Sequence, residues 1–362
     1  MSYLTKREKE ILAYLKKEPM ISQDELAAKM QISRSATAVH ISNLMRKGYI
    51  LGRGYIFNER SGVLVIGKTW LEICGDITDG SSGKVQMEYG GVGYLLAREL
   101  VRFRAEPTLL TFLGRDEIGD QIYNHLLQKG IKVQHIIRNS AIPSGKRVLV
   151  KKGENLLVQV EEMDSTHCLT QKMLSTKEEL LRTARVLLID GTLSFQEIEY
   201  LVSKIVQYNI SSSIAGRSLS WFQKMGFLSC PQLFLVCTHQ EIEELEGTPL
   251  GNEPDAFFSP CRKIVNQGLD TLVVIVGEQG LILANKKEIV YFPVLPLQTP
   301  EHPLTIMAGI AGGLAAGYGM RLAVRRAMGV QGSKKPADSR NRAGKFISAS
   351  LDDSECMGSQ ND

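Results

Sequence analysis

The stretch from Thr305 to Gly317, TIMAGIAGGLAAG, has the composition in this 362-residue chain that most clearly suggests chemistry. Glycine has no Cβ, so a glycine-rich loop lets backbone N–H groups approach a ligand closely. The unpaired N–H groups at the start of a helix, with the positive end of its dipole, suit an anion. The stretch therefore predicts a phosphate-binding loop that leads into a helix. It contains no acidic residue that could accept a proton.

The elements that would position this loop are short apolar runs separated by helix-like stretches. Such runs are typical of strands buried on both faces, and their alternation with helices predicts a mostly parallel α/β sheet. Residues 144–160 instead alternate polar and apolar side chains, which predicts a hairpin in a small lid sheet. The predicted buried strands are VLVIG (63–67), LLTFLG (109–114), VLLIDG (186–191), LFLVC (233–237) and LVVIVG (272–277).

The first sixty residues predict three helices followed by a β-hairpin. Thr5 with Glu8 and Ser22 with Glu25 are capping-box patterns that open the first two helices, and the third starts at Ser33. The sequence YILGRGYIFN then predicts two short strands around Gly52-Arg53-Gly54. This order resembles the winged helix-turn-helix modules of bacterial transcription regulators. The resemblance implies that the third helix enters the major groove of DNA.

The charge of this module favours a nucleic-acid partner. Residues 1–60 hold eleven Lys and Arg against six Asp and Glu, a net charge of +5, whereas the whole chain carries +4. Hydroxyl groups suit phosphates or base edges, and a guanidinium suits guanine or a backbone phosphate. The alternative is a dimerisation or docking module. The candidate DNA-binding residues are Ser33, Arg34, Ser35, Thr37, His40, Arg46, Lys47 and Arg53.

Residues 61–317 resemble the ribokinase-like, PfkB-type carbohydrate and nucleoside kinases. The motifs that carry the resemblance are VLVIG, GGVG (90–93), GRDEIGDQIYNHLLQKGI (114–131), CTHQEIEEL (237–245), VVIVGEQGLIL (273–283) and the glycine-rich stretch. The resemblance implies an α/β sheet with a small β lid over a sugar. It also implies transfer of the γ-phosphoryl group of ATP, with Mg²⁺, to a substrate hydroxyl.

The same resemblance assigns candidate site residues, and several depart from the family pattern. Leu95 and Trp70 stand where the family has asparagines that read the substrate, and Thr238 stands where an asparagine helps to order Mg²⁺. The catalytic aspartate, which the family places just before a helix, aligns with Gly312, so no catalytic residue is assigned. The implied substrate residues are Glu72, Gly91 and Gly93; the implied nucleotide residues are Glu241, Gly277, Gly280, Gly309 and Gly312, with Glu241 also acting indirectly on Mg²⁺.

Two functions therefore remain open. One is an ATP-dependent sugar or nucleoside kinase fused to a DNA-binding module, with activity weakened by Gly312 and with Asp116, Asp120 or Glu241 as substitute acids. The other is a transcription regulator whose kinase-like domain senses such a ligand without phosphorylating it. A protein that does both is a third possibility. The glycines could also simply turn strands into helices.

Composition and hydropathy also predict where the protein resides and how the chain is divided. The six cysteines form no CxxC pair, no apolar run is long enough to span a bilayer, and the N-terminus is polar, which together predict a cytoplasmic protein. Winged-helix proteins often dimerise to bind two DNA half-sites, so we expect a homodimer. The predicted domains are 1–60 (winged helix-turn-helix), 61–331 (kinase-like) and a disordered tail at 332–362.

Overall fold

The chain divides into two compact units, residues 1–61 and 62–362. In the computed structural model, the described residues are 4–18, 21–46, 49–52, 56–57, 62–80, 82–251, 253–293 and 302–329. The predicted tail at 332–362 and the predicted turn at 53–54 lie outside these ranges.

The first unit has the predicted winged helix-turn-helix order. Both capping boxes are present: each hydroxyl accepts a backbone N–H three residues on, and each glutamate side chain accepts the cap's own N–H. Ile11, Leu26 and Leu44 form the centre of a small core between the helices. The elements are α1 (Lys6–Lys17), α2 (Gln23–Met30), α3 (Arg34–Arg46), β1 (Ile50–Gly52) and β2 (Ile56–Phe57), and the two strands pair antiparallel.

The second unit is built on apolar strands of the kind that the sequence predicts. The strands whose sequences are continuous apolar runs are buried along their whole length, because helices cover both faces of the sheet. The strands are β3 (Val63–Ile66), β4 (Trp70–Asp79), β5 (Ser82–Gly90), β6 (Pro107–Leu110), β7 (Phe112–Gly114), β8 (Ile137–Asn139), β9 (Lys146–Lys152), β10 (Asn155–Glu162), β11 (Val186–Asp190), β12 (Ser211–Ala215), β13 (Phe234–Thr238), β14 (Thr271–Val276), β15 (Gly280–Asn285) and β16 (Ile289–Pro293).

Strands β12, β11, β3 and β6 lie side by side in parallel, in that order. Strand β13 pairs parallel to β14, which continues antiparallel into β15 and β16. The predicted single strand LLTFLG is instead two strands, β6 and β7, which break at Thr111 and belong to different sheets. The sheet is therefore mostly parallel, and the carboxyl ends of β3, β11 and β12 share one edge.

Helices pack in two layers against this sheet. Leu187 and Ile189 of β11 face one layer, whereas Val186 and Leu188 face the other, because alternate residues of a strand point to opposite faces. The helices are α4 (Val92–Arg102), α5 (Glu117–Gln128), α6 (Gln171–Ser175), α7 (Glu178–Thr183), α8 (Phe195–Tyr208), α9 (Leu219–Lys224), α10 (His239–Glu246), α11 (Phe258–Asn266), α12 (Pro303–Ala315) and α13 (Met320–Gly329). Helices α4, α5, α12 and α13 form one layer, and α6 to α11 the other.

The lid is a separate four-stranded sheet in the order β10-β9-β4-β5. The hairpin predicted within residues 144–160 is confirmed as the antiparallel pair β9–β10. Strand β4 enters the lid directly from the carboxyl end of β3, and β5 returns to α4 through the Gly90-Gly91 turn. The lid is thus tied to the edge of the main sheet where ligands of α/β proteins bind.

The glycine-rich stretch, predicted as a phosphate-binding loop, lies within helix α12. Thr305–Ala315 is not a loop but the body of this helix, and Leu304 through Leu314 are buried. A Cβ on Gly309 would lie 2.7 Å from both Ala327 Cβ and Phe103 Cζ. A Cβ on Gly312 would approach nothing closer than 3.5 Å. Gly309 is therefore a packing residue that lets α12 approach α13 and the end of α4.

Substitution of the two glycines by alanine should have opposite effects on stability. Gly312→Ala removes backbone freedom from the unfolded chain and should stabilise the fold by roughly 0.5–1 kcal/mol. Gly309→Ala forces neighbouring helices apart and should destabilise it by roughly 1–3 kcal/mol, the usual cost of overpacking. Urea unfolding of both variants measures the difference. Equal effects of the two substitutions would contradict the helical packing.

Candidate functional site

The start of α12 decides what this helix can bind. His302 is the N-cap residue, and its Nδ1 accepts the backbone N–H of Leu304 at 3.3 Å. Its carbonyl oxygen accepts the N–H of Thr305 at 2.8 Å and that of Ile306 at 3.3 Å. Pro303 at the first helical position has no N–H. The backbone donors that residues 303–305 would offer to a phosphate are therefore occupied or missing here.

The same turn lacks the expected base. The family resemblance places an aspartate just before the helix, and the helix begins at Pro303 rather than near Gly312. The alignment of that aspartate with Gly312 is therefore wrong in register. Among the described residues 302–305, none carries a carboxylate; Glu301 lies outside the described ranges. Gly309 and Gly312 lie inside the helix, so their N–H groups do not face an anion.

A buried glutamate holds this helix start in place. The Glu99 carboxylate on α4 is almost fully buried, and it accepts hydrogen bonds from the Thr305 hydroxyl at 3.3 Å and from Arg98 at 3.0 Å. Arg102 makes a short ion pair with the same carboxylate. A buried charge is tolerated only when it is paired in this way. Glu99 thus joins α4 to the first turn of α12.

The predicted magnesium-ordering residue Glu241 serves as a cap. Its side chain accepts the backbone N–H of Thr238 at 2.8 Å, closing a capping box on α10, and that of Leu219 at 3.2 Å. Burial nevertheless raises the pKa of this carboxyl above its ordinary value. Its oxygens are committed to the ends of α10 and α9. An arrangement of this kind does not fit a carboxylate that orders Mg²⁺.

The other predicted nucleotide residues, Gly277 and Gly280, form the β14–β15 turn. Both have positive φ, at 48° and 158°, and a Cβ on Gly280 would lie 2.1 Å from the Phe292 carbonyl oxygen. The turn geometry alone accounts for these glycines. Taken with the start of α12, the described residues do not fit the phosphate groups of Mg-ATP, and we derive no phosphoryl transfer through them.

The substitute acids suggested by residue type are also engaged. The Asp116 carboxylate caps α5 by accepting the Gly119 N–H at 2.7 Å, and it also accepts the N–H and hydroxyl of Ser144. These hydrogen bonds outweigh burial and lower the pKa of Asp116. Asp120 pairs with Arg138 at 2.7 Å. Both carboxylates hold α5 and the loop before the lid in place, so neither is positioned as a base.

Among the predicted substrate residues, Gly91 and Gly93 set the geometry of the lid root, the region where the lid strands meet the end of β3 and the start of α4. Gly91 has φ 99°, and a Cβ there would lie 2.2 Å from the Lys68 carbonyl oxygen. A Cβ on Gly93 would lie 2.6 Å from the Gly67 carbonyl carbon. The start of α4 can therefore approach the end of β3 only because these positions are glycine.

Glu72 lies at the base of the lid beside a cation. Its carboxylate is 3.8 Å from the Arg147 guanidinium and accepts the thiol hydrogen of Cys74 at 3.5 Å. Arg147 also lies over the Trp70 ring, 4.9 Å from the centroid. Glu72 therefore lies in the lid with its carboxylate already paired, and its contact with a substrate stays a prediction.

Three buried polar atoms near the lid root make no hydrogen bond within the part of the chain that the structure describes. They are Thr69 Oγ1, Trp70 Nε1 and Ser165 Oγ. A Cβ on Gly145 would lie 3.1 Å from Trp70 Cβ and 3.2 Å from Ser165 Oγ, so this glycine lies between the indole and the hydroxyl. Buried polar groups usually have partners, and orphaned ones call for an explanation. Sequence reasoning missed Thr69 and Ser165 as site residues.

The chain neighbours of two of these residues line a charged pocket of about 130 Å³. Its lining residues are Lys68, Thr166, His167, Leu169, Leu193, Ser194 and Glu197. Asp190 at the end of β11 is fully buried and accepts the Lys68 backbone N–H at 2.9 Å and the Thr192 hydroxyl at 2.7 Å. Burial lowers the pKa of the Lys68 ammonium, although Asp190 opposes the shift. The signal available in the sequence was a charged residue at or just after the end of each of two buried strands, Asp190 in β11 and Lys68 after β3.

The predicted DNA-binding residues are only partly brought to the surface. Ser35 and Arg34 are exposed, and Arg34 is paired with Asp24 at 3.2 Å. Thr37 is fully buried and donates its hydroxyl to the Ser33 carbonyl, so its assignment as a DNA contact is wrong. His40 is half-buried on α3. The side chain of Arg46 and both Lys47 and Arg53 lie outside the described residues.

Comparison with known proteins places both units. Residues 63–330 match the model described as pfkB family carbohydrate kinase, well over half of the chain. The chain belongs to this family. Residues 4–50 match the model described as winged helix-turn-helix DNA-binding. The chain is therefore a PfkB-type kinase domain fused to a winged helix-turn-helix module, as the sequence predicted.

Similar proteins span most of the chain. It is 28% identical over 354 residues to the "Uncharacterized sugar kinase YeiI" of Escherichia coli (strain K12), covering 93% of this chain and 96% of that protein. It is 22% identical to the E. coli pseudouridine kinase over 62% of this chain and 72% of that protein. A putative sugar kinase structure from Clostridium perfringens gives a TM-score of 0.66 at 15% identity, covering 80% and 95% of the two chains.

The ribokinase-like fold is shared with Arabidopsis thaliana ribokinase, whose structure is complexed with ribose and ATP. The TM-score is 0.60 at 15% identity, covering 74% of this chain and 90% of that one. Kinases of this family use ATP. Within the described ranges, no helix is both long enough and apolar enough to cross a bilayer.

The capping role of Glu241 predicts a pH-dependent stability. Because its folded-state pKa is raised above the ordinary 4.5, the stability linked to this group is greatest below that value and is lost as pH rises through the raised pKa. Glu241→Gln keeps a capping-box side chain without the charge. We expect this variant to lose less unfolding free energy than wild type between about pH 4 and pH 7.

Denaturant unfolding across that pH range measures the difference between the two proteins. The matched control is Glu199→Gln, an exposed carboxylate on α8 that does not act on Glu241, and it should follow wild type. Parallel curves for wild type and Glu241→Gln would contradict the buried position of this carboxylate.

Proposed function

We propose that this protein is a DNA-binding regulator whose kinase-like domain binds a small sugar or nucleoside without phosphorylating it. The observation that carries the proposal is the start of α12. Pro303 removes one N–H donor there, His302 accepts three others, and the described first turn holds no carboxylate. Phosphoryl transfer needs charge stabilisation on the phosphate and a group to take the hydroxyl proton.

Ligand binding is supported by the lid root. Thr69, Trp70 and Ser165 present a hydroxyl, an indole N–H and a second hydroxyl that have no partner in the described chain. The neighbouring pocket adds Lys68, Glu197 and other polar side chains. Hydroxyl and carboxylate groups beside an aromatic ring suit a polyhydroxylated ligand, whose hydroxyls both donate and accept. A sugar or nucleoside would satisfy the three orphaned atoms when the lid admits it.

DNA as the second partner is supported by the N-terminal unit. Its family model is a DNA-binding winged helix-turn-helix, and residues 1–60 carry the positive charge of the chain. Positive modules of this size gain much of their affinity from phosphate contacts. The ligand-binding and DNA-binding units then form one regulator in a single chain.

A homodimer is the third element of the proposal, and the lid offers a surface for it. Strand register places Ile73, Val85, Met87, Val148, Val150, Val158 and Val160 on one face of the lid, here called the apolar lid face. Val85, Met87 and Val160 are 74%, 64% and 61% exposed. Contiguous exposed apolar surface of this kind marks an interface. A second copy suits it, because an apolar patch can pair with the same patch of another copy about a two-fold axis, as two DNA half-sites require.

ATP-dependent phosphorylation of a sugar or nucleoside, weakened by the altered site, is the second candidate function. Membership of the pfkB family and the retained Gly90-Gly91 turn at the lid root favour it. In that case another carboxylate acts as the base, and the candidate is Glu301, which immediately precedes the N-cap of α12 in the chain.

The first test combines ligand binding with turnover. A panel of sugars and nucleosides is screened by thermal unfolding of the full-length protein, and each ligand that raises the midpoint is incubated with Mg-ATP. At a hundredfold excess over its dissociation constant, a ligand should add roughly 2.7 kcal/mol of stability. We expect a midpoint shift with at least one compound and no phosphorylated product.

Thr69→Val is the matched variant for this test. It removes an unpartnered buried hydroxyl at nearly constant shape, so the ligand-free protein should be as stable as wild type or more stable. Its ligand-induced shift should be smaller, because the hydroxyl that pairs with the ligand is gone. Phosphorylated product from wild type would contradict the regulator and favour the kinase, and its loss in Glu301→Gln would assign the base. Absence of any shift would reject ligand binding.

If the apolar lid face forms the dimer, glutamate substitutions at two neighbouring positions on β5 should affect dimerisation differently. Val85 lies on the apolar lid face, whereas Gln86 is exposed on the opposite face. Val85→Glu places two like charges in the paired surface and should convert the dimer to monomer at micromolar concentration. Gln86→Glu should leave the dimer intact. Sedimentation equilibrium distinguishes the two, and a wild-type monomer would reject this surface as a self-association site.

A further inference from the structure

The face of α3 that points away from the core is made of small side chains. Thr37, Ile41 and Leu44 are buried and define the core side of the helix. At 3.6 residues per turn, Ser35, Val39 and Ser42 lie on the opposite side, and all three are exposed. We call Ser35, Val39 and Ser42 the outward stripe. Helices α2 and α3 form the helix-turn-helix pair. In such a pair the outward side of the second helix, here α3, faces the major groove of DNA.

Of the residues that the sequence predicted as DNA contacts, Ser35 belongs to this stripe, whereas Arg34 and His40 do not. Arg34 is displaced towards α2, where it pairs with Asp24 at 3.2 Å. His40 is half-buried on the flank of the helix. The outward stripe therefore carries two hydroxyls and one aliphatic group, with no long charged side chain among its described members.

Val39 is the distinctive member of the stripe. Its side chain is 59% exposed, between two serines on the most outward part of a helix in a positively charged module. Serine hydroxyls donate and accept, so they distinguish bases poorly, whereas an aliphatic group discriminates by contact with the 5-methyl group of thymine. Small neighbours also let the helix axis approach the base edges closely.

We infer that Val39 is a specificity-determining residue that contacts the 5-methyl group of a thymine in the major groove. The inference rests on the proposed DNA binding and deepens it, since it states which base the centre of α3 reads. Each half-site then contains an A·T pair, with its thymine methyl against Val39, at the position facing the middle of the helix. Ser35 and Ser42 contact the flanking base edges or phosphates.

The experiment uses duplexes enriched from a random library by the full-length protein. In an enriched duplex, each thymine is replaced in turn by deoxyuridine, which removes only the 5-methyl group. Affinity is measured for wild type, Val39→Ala and Met45→Ala. Met45 is 45% exposed on the same helix but lies about a quarter-turn away from the outward stripe, so it controls for loss of any exposed apolar group.

One thymine per half-site should show a deoxyuridine penalty of roughly fourfold with wild type, the effect of one buried methyl group. The same penalty should persist in Met45→Ala and vanish in Val39→Ala, which binds both duplexes alike. Thermal unfolding of Val39→Ala should match wild type, because the side chain is exposed.

Three results overturn the inference. The first is a wild-type affinity that is insensitive to every thymine methyl. The second is a deoxyuridine penalty that Val39→Ala retains, because the methyl is then read by another residue. The third is failure to enrich any duplex, which rejects the proposed DNA binding itself and points to a protein partner for the stripe. Enrichment without a Val39-dependent penalty leaves DNA binding intact and rejects only the thymine contact.

Discussion

The backbone hydrogen bonds at the N-terminus of α12 are the constraint on which the account of this protein depends. A helix leaves its first N–H groups without helical partners, and they must be satisfied by a cap, water or a ligand. Here a proline supplies no N–H at the first position, and the imidazole and carbonyl of His302 take the next three. The buried Glu99 then holds the turn through Thr305. In a helix end satisfied in this way, the N–H groups of the first turn, residues 303–305, are not available to a phosphate.

Contacts elsewhere in the kinase-like domain hold the fold. The close approach of Gly67 and Gly93 fixes α4 against β3, and Gly309 lets α12 pack against α13 and Phe103. The carboxylates of Asp116 and Glu241 cap α5 and α10. None of these roles requires phosphoryl transfer. A kinase scaffold can therefore keep its fold and its lid without the phosphoryl-transfer residues, which is consistent with the regulator proposed above.

Local patterns in the sequence predicted much of the architecture. Two capping boxes, the apolar strands and the β9–β10 hairpin are set by side chains close together in the chain, and the structure confirms them. The strand LLTFLG was wrong as one element, since Thr111 separates two sheets and periodicity does not show a change of partner. Thr37 was misassigned because a hydroxyl on a helix is equally consistent with an exposed contact and a buried back-bond.

The glycine-rich stretch shows why the site was harder to predict than the fold. Small residues suit a phosphate loop and a tightly packed helix equally well, and only the neighbours Ala327 and Phe103 show which applies. The cap at His302 carried almost no signal, because histidine is an unusual N-cap. Likewise, Thr69 and Ser165 are single polar residues whose importance comes from burial without a partner, a tertiary property that no local pattern contains.

Calorimetric titration of the full-length protein with Mg-ATP tests the central claim most directly. If the donors at the start of α12 are occupied as described, the nucleotide should release no saturable heat at millimolar concentration, either alone or with a ligand bound at the lid root. Saturable binding of Mg-ATP, with no saturable binding when Mg-ADP is titrated instead, would show that a γ-phosphate site exists. This result would contradict the conclusion that the start of α12 cannot bind a phosphate.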